Sequence, residues 1–148
     1  MQHGGLTGGA AASYGAEVPA LPRLAERIVF IVHGVVTIAA AVLLAVLPGV
    51  IPATVGIAMD PVDNLMSYFL AAAELSIGLL SIGAARLDDV YSVRLIALSF
   101  AAFHGATAAL EIVYIAMQAA TPVLVINLVV RVVVCALFLW IGLAKRAP

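Results

Sequence analysis

From Ile28 to Leu47 the chain runs through about 20 consecutive residues in which only His33 can carry a charge. At 1.5 Å rise per residue, a helix of that length crosses the hydrocarbon core of one bilayer. Three further stretches of the same character follow, separated by short polar or proline-bearing breaks. This pattern leaves few alternatives. The mean hydropathy is +1.20, and 65% of the residues are hydrophobic against 10% charged. A soluble domain averages about 45–50% apolar and about 25% charged residues. A chain of 148 residues cannot hide that much apolar surface from water, so lipid must be its solvent. The expected fold is an all-α integral membrane bundle of four helices, with the bilayer itself as first partner.

The breaks set the boundaries. Residues 1–21 are rich in Gly and Ala, hold one acid and His3, and carry no periodic pattern, so they read as a flexible tail. The four-helix domain follows over 22–148. Pro22 suits a first helical turn, with Arg23, Glu26 and Arg27 expected at the interface, and the first helix is expected over about 22–47. Residues 48–61 hold Pro48, Pro52, Gly56 and Pro61 and read as a loop with a short interfacial turn. Asp60 before Pro61 and Thr121 before Pro122 are cap-then-proline starts. They open helices expected over about 62–85 and 122–144, and a third lies between at about 90–118.

Basic residues orient the bundle. Arg23, Arg27, Arg86, Arg94, Lys145 and Arg146 all fall on one side, and residues 48–61 and 118–122 hold none. By the positive-inside rule both termini are cytoplasmic. Short connections at 86–89 and 118–122 favour an up-down-up-down order of antiparallel neighbours. The expected location is an inner (plasma) membrane, crossed several times. The net charge of -1, with no basic patch, gives no reason to expect a nucleic-acid partner.

Chemistry should lie where polar groups are costly. Ionisable groups within the spans are His33, Glu74, His104, Glu111 and Arg131, joined by the polar Asn127. Helical spacing sorts them. His104, Thr107, Glu111, Tyr114 and Gln118 share a face, as do Asn127, Arg131 and Cys135. Ser67, Glu74, Gly78 and Ser81 mark the second span, and His33 with Thr37 the first. These stripes should meet at the bundle axis. Glu111 and Arg131 lie ~10 and ~14 Å from the outer helix ends, which makes them the expected ion pair. Glu74, at ~15 Å, is the alternative or additional partner. Two glutamates to one arginine leave one acid in excess. It takes a proton, or faces water or a ligand. The cluster reads either as internal glue fixing helix register, or as a polar pocket open toward the outer face or a proton site.

His33 and His104 lie at matching depth, and each precedes a glycine. Bonding across helices is the main reading, and ligation of haem b or a metal is the alternative. Cys135 alone excludes a disulfide within the chain and reads as a small packing residue. Ala101, Gly105 and Ala109 recur every fourth position and predict close helix packing. Trp140, Tyr68 and Tyr114 read as interfacial anchors. No Walker loop, dinucleotide fingerprint, HExxH, CxxC or serine elbow is present, and no catalytic residues are expected.

The proline-bearing loop after the first span, the run Phe69–Gly83 (FLAAAELSIGLLSIG) and opposite charges in the last two spans resemble the DoxX-like group and related uncharacterised four-helix bacterial membrane proteins. That resemblance implies the topology over roughly residues 25–144 and a bacterial inner membrane, but assigns no activity. The expected function is that of a small accessory subunit, with a membrane-protein partner or further copies of itself, or of a binder of a small lipophilic ligand in an axial polar pocket. A redox or proton-handling protein using His33 and His104 is the alternative.

Overall fold

A computed structural model describes residues 23–118 and 120–144. The tail over 1–21 with His3, the start at Pro22, and the closing Lys145 and Arg146 lie outside the described residues. Within them the chain is helical and contains no strand. Helix α1 spans Arg23–Val46, the short α2 Val50–Thr54, α3 Asn64–Ala84, α4 Val90–Met117 and α5 Pro122–Leu143. Four of these helices are long and apolar enough to cross a membrane. The proline-bearing loop accommodates α2 and one 3-10 turn over Pro61–Asp63, so α3 proper starts just after the cap-then-proline signal.

Local chemistry explains the helix starts. The Thr121 side chain accepts a hydrogen bond from the Leu124 amide, and Pro122 fills the first turn without wasting a donor. Asp89 caps α4 by accepting from the Ser92 amide at 2.8 Å. Hydrogen bonds from Ser92, first its side chain and then its backbone, hold the Asp89 carboxyl below the usual carboxylate range.

The helices associate as two tight pairs, α1 with α3 and α4 with α5. Glycine permits the first. A Cβ on Gly34 would stand 2.9 Å from the Gly78 carbonyl oxygen, and one on Gly78 would stand 3.0 Å from that of Gly34. The two backbones therefore touch. In the second pair, the Cys135 thiol donates to the Ala101 carbonyl at 3.3 Å, and a Cβ on Gly142 would strike Leu98. Arg94 Nε donates to the Gly142 carbonyl at 2.8 Å and satisfies an orphan acceptor near the end of α5. Helices α3 and α4, though joined by a short turn, touch sparingly. Ala109 is exposed, so the small-residue stripe of α4 serves packing at Ala101 and Gly105 only.

Side chains join the pairs. Phe30 of α1, Phe100 of α4 and Phe138 of α5 form a cluster of tilted rings with centroids 5.2–6.3 Å apart. Around it pack Ala84, Ala85, Val93, Ala97, Ala101 and Ile141. Arg23 and Arg27 reach Asp88 at 3.0 and 3.2 Å, so the start of α1 and the α3–α4 turn share one end of the molecule. Glu26, in the same turn of α1, is packed inside the bundle end. It is 5% exposed, because the first turn of α1 lies against Ala84 and Val93 beside a small void bounded by Arg23 and Arg27. At the other end Ser67 donates to the Pro48 carbonyl at 2.9 Å and ties α3 to the close of α1.

Candidate functional site

The polar stripes of α4 and α5 meet. Arg131 Nε donates to Glu111 Oε1 at 2.8 Å, and the Asn127 amide donates to the same oxygen. Arg131 NH1 donates to Thr107 Oγ1 at 3.1 Å, and Thr107 donates back to the Phe103 carbonyl of its own helix. The side chains of Arg131 and Glu111 are 23% and 16% exposed. A guanidinium at that depth cannot discharge, so it is held by a carboxylate and a hydroxyl one helical turn apart. Both donors to Glu111 converge on Oε1. Its Oε2 is buried, with no partner among the described residues.

The second constellation is a chain of four groups. Ser81 donates to the Phe30 carbonyl at 2.8 Å, which spends its proton, so it accepts from His33 Nδ1 at 2.9 Å. With both rings neutral, His33 Nε2 then has only a lone pair, and His104 Nε2 must donate to it, also at 2.9 Å. The His104 Nδ1 that results is a bare acceptor, buried without a partner among the described residues. The His33 ring is further held edge-on against Phe138, centroids 4.9 Å apart. This arrangement fits hydrogen bonding rather than axial ligation. A metal bonds imidazole nitrogen at about 2 Å, so two axial rings need their nitrogens about 4 Å apart. No set of three or more His, Cys, Asp or Glu that could hold a metal occurs among the described residues.

Both constellations border one cavity. It measures about 510 Å³ and runs between α1 and α5, from Ile28 to Ala40 on one side and from Asn127 to Phe138 on the other. Its walls are apolar: Val32, Val36, Val130 and Leu137 among others. Its polar groups are His33, Thr37, Glu74, His104, Asn127 and Arg131. Helices α1 and α5 belong to different tight pairs, and Val32, Val36 and Val130 are exposed on the outer surface. The cavity is therefore a cleft in the side of the bundle. Glu74 borders it from α3, carries no hydrogen bond or salt bridge among the described residues, and feels Arg131 only through space.

A second hollow of about 370 Å³ lies on the far side of the ion pair, bordered by Val55, Ile57, Thr107, Tyr114 and Leu124. Arg131 borders both, so the Arg131–Glu111 pair is a septum between them.

Of the residues that spacing along the sequence singled out, Glu74, Asn127, Arg131, His33 and His104 border the cleft and Glu111 is paired with Arg131. Spacing assigned Ser81 to a polar face without its role as the anchor of His33, because a serine in an apolar span carries no signal of its partner. It missed Phe138, whose ring walls both the cleft and the histidines, because a phenylalanine there is indistinguishable from core. Comparison with protein-family models, with curated proteins and with solved structures yields no match.

Proposed function

We propose that this protein binds a small lipophilic molecule in the cleft between α1 and α5, as a multi-pass protein of an inner membrane. The observation that carries the reading is the cleft itself: a drug-sized volume, apolar along its length, with a few convergent polar groups. Its exposed apolar rim supports access from within the bilayer. The shared end of Arg23, Arg27 and Asp88, with the one-sided distribution of Lys and Arg, supports an up-down-up-down order with both termini cytoplasmic.

The test is retention of a bound molecule. Protein extracted from its native membrane into lipid nanodiscs should carry a small lipophile in native mass spectrometry. Val130→Trp, which fills the cleft from an exposed position, should lose it. Equal retention by both forms would remove the cleft as the binding site.

A further inference from the structure

We infer that the molecule taken up is a lipophilic cation, a hydrophobic amine or onium, whose charged centre is held by Glu74. This rests on the cleft being a binding site and adds the chemistry of what enters. The argument is a balance of charges around one cavity. On the cleft wall α3 contributes Glu74, α4 His104, α5 Arg131 and α1 His33, while Glu111 meets the cleft only through its pair with Arg131. The histidines bond to one another and, through His33, to Ser81, and the His104 Nδ1 left over is a neutral acceptor that calls for a donor and not for a counter-charge. Arg131 is engaged by Glu111 through Nε and by Thr107 through NH1. That leaves one carboxyl, Glu74, on the cleft wall with no hydrogen-bond donor among the described residues.

A carboxylate in apolar surroundings demands a counter-charge or a proton, because its solvation has no substitute there. A cation in the cleft answers that demand and leaves the septum pair intact. An anion would meet a guanidinium whose charge Glu111 already answers, together with the uncompensated carboxyl of Glu74 on the same wall. A neutral guest would leave Glu74 as it stands. The apolar walls at Val32, Val36, Val130 and Leu137 then take the hydrophobic body of the same guest.

Two ions of the same size and shape but opposite charge provide the test. Tetraphenylphosphonium and tetraphenylborate are titrated against the detergent-solubilised full chain by equilibrium dialysis, with neutral 9-anthracenemethanol as a third probe. The phosphonium should bind and the borate should not. Glu74→Gln should weaken the phosphonium by roughly tenfold or more, as for loss of a charge-assisted contact, and Glu74→Asp should preserve the preference. Circular dichroism checks that both variants keep their helices. Equal binding of the two ions, tighter binding of the borate, or phosphonium binding unchanged in Glu74→Gln would overturn the proposal. If the neutral probe binds, is lost in Val130→Trp, and the phosphonium does not bind, the cleft reading stands and the cation falls. If no probe binds, both fall.

Discussion

Arg131 carries its charge largely out of solvent, with its side chain 23% exposed. Its charge is answered by Glu111, and removing one partner strands the other in a medium that solvates neither. Breaking a buried pair from one side typically costs about 3–5 kcal/mol, whereas removing both partners costs much less. Arg131→Leu should therefore destabilise the bundle more than Arg131→Leu combined with Glu111→Leu. A double-mutant cycle by denaturant unfolding in detergent measures the coupling, and strict additivity would show that the contact carries no energy. The contact itself could be read from the sequence. Helical rise placed both groups at similar depth on helices joined by a short turn, and a guanidinium must find an acid. What could not be read is that Asn127 converges on the same carboxylate oxygen and leaves the other bare. That depends on rotamers, and spacing along a helix fixes only faces.

Between elements, close approach at two glycines decides which helices pair. The short α3–α4 turn suggested neighbours by connectivity, but α1 and α3 pack more closely because Gly34 and Gly78 let their backbones meet. Gly78→Val should cost about 1–3 kcal/mol or more, since the clash is with backbone as well as with Ile38. Gly83→Ala, five residues further along the same helix, meets nothing within 4 Å and should be neutral or slightly stabilising. Thermal unfolding followed by circular dichroism distinguishes the two. At the start of α4, Asp89 provides a pH-dependent cap. Its carboxyl is held below the ordinary range, so the cap is in place above that range and is lost as pH falls through the lowered value. Amide exchange at Ser92 should accelerate on acidification, and Asp89→Asn should flatten that response. The helices themselves were legible because apolar runs of bilayer length admit few other folds. Their pairing was not, because every face of a spanning helix is apolar and the hydrophobic pattern no longer marks which side is inside.

For the whole molecule, the sidedness of the bundle is testable with single cysteines in a Cys135→Ala background. Gly49→Cys should react with a membrane-impermeant maleimide added outside intact cells, and Leu87→Cys should react only after the cells are opened. The reverse pattern would invert the orientation. The two tight pairs have a consequence for how the chain is put together. Residues 23–84 contain one pair and residues 90–143 the other, and the backbone crosses between them at the 85–89 turn alone. Each half can bury its own glycine or small-residue seam before it meets its counterpart, and the aromatic cluster and the two histidines then act as the fastener. The covalent link at that turn should be dispensable: two genes, each encoding one half, should together yield the same assembly as the single reading frame.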